Sequence, residues 1–546
     1  MSSSAAVQGR MTLARSSFAP APNRAFRSRN VVKAPARRTR SGVAVKAEGD
    51  FDRLNVVIVG AECAPFSKTG GLGDVVQSLP KALVRRGHRV MSVVPMYHHY
   101  DECHTPCARQ KFNVMGTEVE VEYYHLNRDG VDIVFVNHPC FHEVGDQIYA
   151  GSTMDVAWRG ALMSQAGIEA VWHVHCGGFP FGDENLIYVS NDWHTGLLPV
   201  YLRAFYQDHF KLGYARAVHI VHNIAHQGRA HPDEVWRLGL PEQHTGAFYL
   251  DDPMEGPCMN IMKAAINYAT KVIAVSPGYA WELGTDEGGW GLAPTVRSDP
   301  AKVSGIVNGI DFHDWDPSHD RFLQSDGFQT YGLNLEGLWT GKQACKAALQ
   351  RSLGLPERHD ACMIGFIGRL DEQKGIDLVL DSEEFLMNQD IQLVFLGSGR
   401  QDLKDRLYDM ECRNRDKVRS WLGFSNEMAH RITAGCDILL MPSRFEPCGL
   451  NQLYAMHYGT VPVVHAVGGL RDTVRHFDGE NDGTGWTFER ATPDKLQWAL
   501  GQAIYTYQSH RESFMQVALR ACHQDLGWDH AAYLYEQKFY EAKYSH

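Results

Sequence analysis

The sequence predicts an α/β protein with two doubly wound domains, each built on a parallel sheet that helices cover on both faces. Short apolar runs alternate with amphipathic stretches through most of the chain, which is the pattern of buried strands and surface helices. Two glycine-rich segments, residues 68–74 and 444–450, each follow such an apolar run directly. At 546 residues the chain is also too long for one hydrophobic core, so the two segments indicate two domains.

The first domain is predicted over residues 51–315. Its first strand is residues 56–59, and the helix that follows begins near Gly71 with apolar residues at helical spacing. Two arginines and Gly87 end this helix, because basic residues and glycine are common at a helix C-terminus. Further strands are predicted at residues 90–94, 131–136, 186–189, 218–222 and 272–275.

The second domain is predicted over residues 316–525, after a polar, turn-rich linker at residues 308–317. The same alternation of apolar runs and amphipathic stretches returns here. The end of the chain, residues 526–546, is rich in aromatic side chains and is predicted as a separate helix. The strands of this domain are predicted at residues 363–367, 392–396, 420–423, 438–441 and 461–465.

The first 47 residues are predicted to be a chloroplast transit peptide. They contain ten basic residues and no Asp or Glu, and they are rich in Ser and Ala, which is typical of organellar targeting segments. Residues 43–47 look like a plastid processing site. A basic tail that binds nucleic acid is the alternative interpretation of the same composition.

The rest of the chain is strongly acidic. Without the ten basic residues of the leader, the formal net charge falls from −11 to −21. This charge disfavours nucleic acid or an anionic membrane surface as a partner, and no apolar stretch approaches the ~18 residues of a membrane span. The twelve cysteines form no paired C-x-x-C array, so we expect most of them to be buried and reduced. Cys103 and Cys107 are expected to be unpaired loop cysteines, with a redox pair as the alternative.

Candidate phosphate-binding side chains follow a predicted strand of the second domain. Arg369 and Lys374 come after the strand at residues 363–367, and the carboxyl ends of parallel strands are where open α/β sheets bind ligands. Arg forks two phosphate oxygens and Lys adds a point charge, so this pair is suited to neutralising a departing diphosphate. Solvated charges on a surface loop are the alternative interpretation.

The second glycine-rich segment offers backbone donors to the same anion. The turn at Gly449 and Leu450 is expected to present N–H groups at the start of a helix. We expect Asn451 to cap this helix and Gly459 to end it. Glu446 precedes the helix, where an interaction with the helix dipole is the structural alternative to a role in binding.

Several separated motifs resemble those of the bacterial glycogen synthase and plant starch synthase family, most of all its class II soluble starch synthases. The resemblance covers nearly all of residues 51–546 and implies the GT-B architecture, in which two Rossmann-like domains hold the donor in a cleft. It also implies that the C-terminal helix returns to the first domain. The motifs are Lys-Thr-Gly-Gly at 68–71, Asn-Asp-Trp-His at 191–194, His-Asn-Ile-Ala-His-Gln-Gly at 222–228, Glu-Gly-Gly-Trp-Gly at 287–291, Asn-Gly-Ile-Asp at 308–311, Gly-Arg-Leu at 368–370, Gln-Lys-Gly at 373–375 and Glu-Pro-Cys-Gly-Leu at 446–450.

The resemblance also implies the site residues. Glu446 is expected to hold the glucose by its hydroxyls, and Tyr454 stands where many retaining GT-B enzymes carry a second Glu. No metal or other cofactor is expected, because basic side chains neutralise the diphosphate. The residues with catalytic roles by resemblance are Glu446, His194, Arg369, Lys374 and Asp155. Those that bind substrate by resemblance are Lys68, Gly70, Gly71, Asn308, Cys448, Gly449 and Leu450.

Two other patterns are compatible with metal ligands, although neither is expected to bind a metal. His222 and His226 are four residues apart, but they follow a predicted strand and lack a His-Glu-x-x-His pattern. Asp314 and Asp316 resemble the Asp-x-Asp motif of a different glycosyltransferase architecture and lie in the linker.

The resemblance predicts a retaining glycosyltransferase of the plastid stroma that transfers glucose from ADP-glucose to the non-reducing end of an α-1,4-glucan such as amylopectin or a maltooligosaccharide. A GT-B transferase with another donor, such as UDP-glucose, is the alternative. A non-catalytic glucan-binding scaffold is disfavoured by the charged residues at the expected site. Complexes with other enzymes of starch synthesis and attachment to granules leave no readable signature in the sequence.

Overall fold

The computed structural model describes residues 53–178, 181–182, 184–253, 256–480 and 482–545. The predicted transit peptide, residues 1–47, lies outside them. Residues Phe51–His546 form one compact unit, which contains two sheet-based domains. None of the helices within the described residues is long and apolar enough to cross a membrane.

The first domain contains a large twisted sheet and a small antiparallel one. Its described strands are β1 Asn55–Val59, β2 Arg89–Pro95, β3 Ala108–Val114, β4 Thr117–Arg128, β5 Val131–Asn137, β6 Leu186–Asn191, β7 Arg216–Val221, β8 Arg229–Ala230, β9 Tyr249–Asp252, β10 Gly256–Asn260, β11 Lys271–Ala274 and β12 Val303–Gly305. Its described helices are α1 Gly71–Arg85, α2 Pro139–His142, α3 Thr153–His173, α4 Leu197–Tyr201, α5 Glu242–Thr245, α6 Ile261–Tyr268, α7 Pro277–Leu283 and α8 Ala293–Ser298.

The strand order of the large sheet is β12-β11-β7-β6-β1-β2-β5-β4-β3, and the small sheet has the order β8-β10-β9. Strands β2 and β5 lie on one side of β1 in the sheet, and strands β6, β7 and β11 lie on the other side. The adjacent strands β1 and β6 therefore flank a topological switch point, the place where open α/β sheets form a ligand crevice.

The second domain contains one parallel sheet in the order β15-β14-β13-β16-β17-β18. Its strands are β13 Cys362–Ile367, β14 Ile391–Gly397, β15 Val418–Leu422, β16 Ile438–Met441, β17 Val461–His465 and β18 Trp486–Phe488. The helices from here to the chain end are α9 Leu335–Leu353, α10 Ile376–Leu380, α11 Glu383–Met387, α12 Gln401–Arg413, α13 Asn426–Gly435, α14 Asn451–His457, α15 Gly468–Thr473, α16 Pro493–Ser509, α17 Arg511–Cys522 and α18 Trp528–Lys543. Its switch point lies between β13 and β16.

The structure confirms the apolar runs as strands but corrects the expectation of purely parallel sheets. Strand β4 runs antiparallel to both β3 and β5, so the first sheet is mixed at one edge. The small sheet β8–β10 is antiparallel as well. These strands are short or have one exposed face, so they lack the solid apolar run that identifies a buried parallel strand.

The chain passes between the two domains twice, and the two crossing segments lie side by side. The backbone N–H of Ile310 donates to the carbonyl of Leu526 at 2.9 Å. After this crossing, α18 packs on the first domain and buries Trp528, Tyr535 and Phe539 in its core. Glu536 on α18 accepts a hydrogen bond from Arg86 and lies 2.7 Å from the Nε2 atom of His88.

Candidate active site

The predicted site residues lie on loops at the two switch points. In the first domain these loops follow β1 and β6 and carry Lys68 and His194. In the second domain they follow β13 and β16 and carry Lys374 and Glu446. The two glycine-rich segments face each other, since a methyl group added at Gly71 would lie 3.4 Å from the Cδ1 atom of Leu450.

Lys374 and Glu446 form an ion pair in the second-domain loops. The Nζ atom of Lys374 lies 2.6 Å from Oε2 of Glu446, and the Oγ atom of Ser443 donates to the same carboxylate oxygen at 2.9 Å. Glu446 is only 7% exposed. An amine and a carboxylate held together in this way can bind neighbouring parts of one substrate, the amine an anionic group and the carboxylate a set of hydroxyls.

Arg369 is not part of this ion pair. Its side chain is largely exposed, donates to the Oε1 atom of Gln373 at 3.0 Å, and lies 3.4 Å from Asp371. Burial, followed by the positive charge of Arg369, lowers the pKa of His226 in the first domain.

The turn at Gly449 has the expected backbone, but its helix cap differs from the prediction. Gly449 has a φ of +70°, and a Cβ atom there would lie 2.4 Å from the Oε1 atom of Gln452. The expected cap by Asn451 is wrong, because Leu450 is the N-cap and the Asn451 side chain donates to the carbonyl of Ile367 at 2.9 Å. Asn451 thus ties α14 to β13 and holds the two switch-point loops together.

Cys448 and Asn308 lie together where the linker meets this turn. A backbone hydrogen bond from Asn308 reaches the Cys448 thiol, but burial dominates and raises the pKa of Cys448 to about 12. The thiol is therefore protonated at neutral pH and is not a nucleophile. The Oδ1 atom of Asn308 is buried and has no hydrogen-bond partner among the described residues.

The first glycine-rich segment is anchored by Glu62, which the sequence analysis did not identify. Glu62 is 2% exposed and accepts hydrogen bonds from the backbone and hydroxyl of Thr69 and from the hydroxyl of Tyr149. Burial raises the pKa of Glu62. Lys68, the neighbour of Thr69, pairs with Asp74 in the first turn of α1 at 2.7 Å. An acidic residue three positions after β1 was the available signal for such an anchor.

His194 follows β6 and lies in a tight aromatic environment. Its ring centroid is 4.4 Å from that of Tyr149, and both residues line a small cavity of about 20 Å³. Burial and the neighbouring His226, His222 and Arg159 lower the pKa of His194 to about 3. The imidazole is thus neutral at physiological pH, and its buried Nδ1 atom has no hydrogen-bond partner among the described residues.

Two neighbours explain how His194 is held. Asp192 has a φ of +53°, and its Oδ1 atom accepts from the backbone N–H groups of His222 and Asn223 at 2.7 and 3.1 Å. Burial raises the pKa of Asp192 to about 7 despite these two bonds. Gly160 on α3 completes the support, since a Cβ atom there would lie 2.2 Å from the carbonyl oxygen of His194.

Asp155 has a structural partner in the described chain. Its carboxylate accepts from the backbone and hydroxyl of Ser152 at 2.8 and 2.7 Å, which forms a capping box at the start of α3. These hydrogen bonds lower the pKa of Asp155. The residue is exposed, and its catalytic role stays a prediction.

Polar contacts join the two domains beside the cleft. The Oγ atom of Ser276 donates to the carbonyl of Pro447 at 2.6 Å, directly next to Glu446. The backbone N–H of Gly468 donates to Glu282 at 2.8 Å. These contacts connect α7 of the first domain to the Glu446 loop and to α15 of the second.

The histidine and aspartate pairs considered as metal ligands have other partners. The Nε2 atom of His222 lies 2.9 Å from Oδ1 of Asn191, and Asp316 accepts from Ser318 at 2.6 Å. A different group, His125, Asp132 and Cys176, brings three ligand atoms within 4.8 Å of one another in the described part of the chain. Asp132 lies near the amino end of β5, away from the carboxyl edge that carries the site loops.

Two Rossmann-like domains, with glycine-rich loops meeting between them, define a glycosyltransferase of the GT-B class. Two family models match the chain in agreement with this. Residues 55–298 match the starch synthase catalytic domain, and residues 354–518 match the glycosyl transferases group 1 model.

The chain belongs to the starch synthase family. It is 54% identical over 492 residues to soluble starch synthase 2-3 of Oryza sativa subsp. indica, covering 90% of this chain and 60% of that protein. It is 52% identical to soluble starch synthase 2-2 of Oryza sativa subsp. japonica, covering 90% and 71%. The solved catalytic domain of starch synthase IV from Arabidopsis thaliana, bound to ADP and acarbose, is 31% identical with a TM-score of 0.79, covering 90% of this chain and 100% of that one. The chain thus spans between 60% and 71% of the length of these two rice relatives.

Proposed function

We propose that this protein transfers glucose, with retention of configuration, from ADP-glucose to the non-reducing end of an α-1,4-glucan. The observation that carries the proposal is the partly buried Lys374–Glu446 pair at 2.6 Å, placed at the second-domain switch point opposite the first glycine-rich segment. The names of the curated relatives, all starch synthases, and the ADP and acarbose bound to the solved relative supply the substrate classes.

The residues divide the work of the reaction between them. Lys374 and Arg369 neutralise the charge that develops on the departing diphosphate, and the N–H groups of the Gly449 turn add neutral donors. Glu446 holds the glucose by its hydroxyls, and neutral His194 contributes a further hydrogen bond. The departing diphosphate takes the proton of the acceptor hydroxyl, so the acceptor needs no separate strong base. Contact between the domains excludes water from the donor.

The test compares donors and acceptors directly. Purified enzyme is incubated with ADP-glucose or UDP-glucose and a maltooligosaccharide primer, and chain elongation is measured. We expect ADP-glucose to be used far better than UDP-glucose. Equal use of both donors would contradict the donor assignment, and transfer only to a non-glucan acceptor would contradict the acceptor assignment.

The same division of work leads us to propose that no divalent metal is required. Two basic side chains stand in the loops where a metal would otherwise neutralise the diphosphate. Elongation should persist in excess EDTA. Complete loss of activity, restored by Mg²⁺ or Mn²⁺, would show that a cation takes part.

We also propose that the protein acts in plastids, where residues 1–47 direct it. The names of the rice relatives carry the designation chloroplastic/amyloplastic, and the leader has the composition of a transit peptide. A reporter fused to residues 1–47 should enter chloroplasts and be cleaved near Glu48. A reporter found in the nucleus would favour the basic-tail interpretation.

A further inference from the structure

Trp290 adopts a backbone conformation that bulky residues avoid. Its φ is +48°, in the left-handed region, where a large side chain is a genuine outlier. The residue is nevertheless 47% exposed, so burial of its ring in a core does not account for the strain. Strained residues of this kind cluster at ligand-binding and active sites.

Hydrogen bonds hold the backbone of Trp290 in place. Its carbonyl oxygen accepts from Gln227 at 3.0 Å and from Arg229 at 2.6 Å. Gln227 in turn accepts from Asn260 at 2.6 Å, and Arg229 pairs with Asp252 at 2.8 Å. The carbonyl is thus fixed from the first-domain side by two side chains that are themselves fixed.

The glycines around Trp290 allow the loop to pack closely against the end of α7. A Cβ atom at Gly289 would lie 2.6 Å from the carbonyl oxygen of Leu283, and one at Gly288 would lie 2.5 Å from that of Glu282. Gly291 has a φ of +88°. The tight loop after α7 therefore holds the backbone that carries this large aromatic ring in a single place.

That place is the first-domain side of the cleft, next to the donor residues. The ring of Trp290 meets the ring of Phe445 edge-on, with centroids 6.4 Å apart. Phe445 also contacts Tyr279 at 5.5 Å and directly precedes Glu446. Trp290 thus contacts the residue that directly precedes the carboxylate proposed to hold the donor glucose.

We propose that Trp290 is the stacking platform for the acceptor glucan. Sugar rings carry apolar C–H faces, and an exposed indole on a fixed backbone is suited to bury such a face while its edge remains in contact with solvent. Arg369, Lys374 and Glu446, which are proposed to bind the diphosphate and the glucose of the donor, lie on the second domain, so an uncharged ring on the first-domain wall fits the uncharged acceptor. This role presupposes the glucan acceptor of the proposed function.

The experiment uses the full chain and separates the ring from the strained backbone. Trp290→Gly removes the ring but keeps the backbone angle accessible, because glycine adopts positive φ readily. Trp290→Phe keeps an aromatic face. Trp498→Ala is the matched control, since Trp498 is a 52% exposed tryptophan on α16 that stacks on His476. The kcat and the KM for maltoheptaose and for ADP-glucose are measured for each.

We expect Trp290→Gly to raise the KM for maltoheptaose by about tenfold, while the KM for ADP-glucose stays within about twofold. Trp290→Phe should recover most of the acceptor affinity, and Trp498→Ala should match the parent. An unchanged KM for maltoheptaose would overturn the proposal. If Trp290→Gly lowers kcat and Trp290→Phe lowers it as much, Trp290 has only a structural role, and this result would also overturn the proposal.

Failure of the proposed function gives a different result. If the parent enzyme elongates no glucan with either donor, the proposed reaction is wrong whatever the variants do. Calorimetric titration of maltoheptaose into the parent and Trp290→Gly then tests the platform alone. Weaker binding to the variant supports it, and equal or absent binding to both overturns it.

Discussion

At the scale of single residues, the site is prepared by groups that satisfy one another before substrate arrives. Lys374 is held by Glu446, Lys68 by Asp74, and the loop that carries Lys68 by Glu62. In the proposed reaction, the diphosphate of the donor would compete with these internal carboxylates for the lysines. When the diphosphate replaces a carboxylate as the partner of a lysine, the lysine stays paired with a negative charge. This limits the free-energy cost of removing the charged groups from water.

The Lys374–Glu446 pair leads to the first prediction. Lys374→Gln and Glu446→Gln should each lower kcat by about ten- to over a hundredfold, because a charge-assisted hydrogen bond is worth roughly 1.5–3 kcal/mol. The Tm of each variant should stay within a few degrees of the parent, because both side chains lie on loops. Elongation kinetics and thermal melts provide the measurements.

Contact between the two residues also predicts how their effects combine. The double variant should lose less activity than the two single losses multiplied, since each substitution already breaks the shared bond. Lys495→Gln, on the surface of α16, is the control. Near-parental kcat/KM in both single variants would place the reaction somewhere other than this cleft.

Buried Asp192 predicts a pH dependence of stability. Its folded-state pKa of about 7 is raised above the ordinary value of about 3.9, so the folded protein binds the proton more tightly. This contribution to stability is fully present below pH ~4 and is lost as the pH rises through 7. Asp192→Asn removes it, so the Tm of the variant relative to the parent should rise between pH 5 and pH 8.

His194, His219 and His222 act in the opposite direction. Burial lowers the pKa of each to about 3, so stability is lost as the pH falls below the ordinary value of about 6.5. Comparing Asp192→Asn with the parent at each pH cancels this common effect. A flat difference for Asp192→Asn would mean that Asp192 is ionised throughout.

At the scale of elements, the sequence predicted what is apolar and local. The central strands of both sheets, the helix α1 and the two glycine-rich turns were predictable from solid apolar runs and their flanking glycines. The β3–β4 hairpin was missed although residues 117–123 alternate in polarity, because its turn at Met115 and Gly116 lacks the usual Asn-Gly signal.

Contacts between distant residues explain the other errors in the sequence-based prediction. Asn451 stands at the right position for a helix cap but bonds instead to Ile367, 84 residues away. Glu62 and Asp192 owe their roles to Tyr149 and His222, which no spacing rule connects to them. Local patterns therefore locate the site loops, and tertiary contacts determine which side chains hold them.

The attachment of α9 to the second sheet gives a prediction at this scale. Lys346 is 1% exposed, and its Nζ atom donates to Asp437, which precedes β16, and to the hydroxyl of Tyr507 on α16, both at 2.7 Å. Lys346→Met should lower the free energy of unfolding of the second domain by about 3–5 kcal/mol, because it leaves Asp437 buried and unpaired. Denaturant titration measures the change.

A surface pair provides the contrast. Lys111 and Glu118 lie 3.0 Å apart with both side chains mostly exposed, so Lys111→Met should lower the free energy of unfolding far less than Lys346→Met does. Adding Asp437→Asn to Lys346→Met should restore part of the loss. Equal effects of Lys346→Met and Lys111→Met would show that the buried pair stabilises no more than a surface pair does.

At the scale of the whole molecule, two parallel crossings of the chain determine how the domains face each other. The crossing segments are held by the Ile310–Leu526 hydrogen bond, and α18 then fastens the second crossing to the first domain. Gly309 makes this close approach possible, since a Cβ atom there would lie 2.5 Å from the backbone nitrogen of Trp528. The site needs loops from both domains, so its geometry depends on a junction that contains none of the reacting groups.

Gly309→Ala should therefore impair the reaction without touching a substrate. The added methyl group meets backbone atoms, which cannot rotate away, so the two crossings must separate and the domains must shift. A misplacement of about 1 Å between reacting groups costs about a hundredfold in rate, so we expect kcat/KM to fall at least tenfold. Circular dichroism should show both domains still folded. Gly213→Ala, at a glycine with nothing within 4 Å of its added methyl, is the control and should keep parental activity. Parental kcat/KM in Gly309→Ala would mean that the crossings tolerate separation and that contacts such as Ser276–Pro447 alone hold the cleft together.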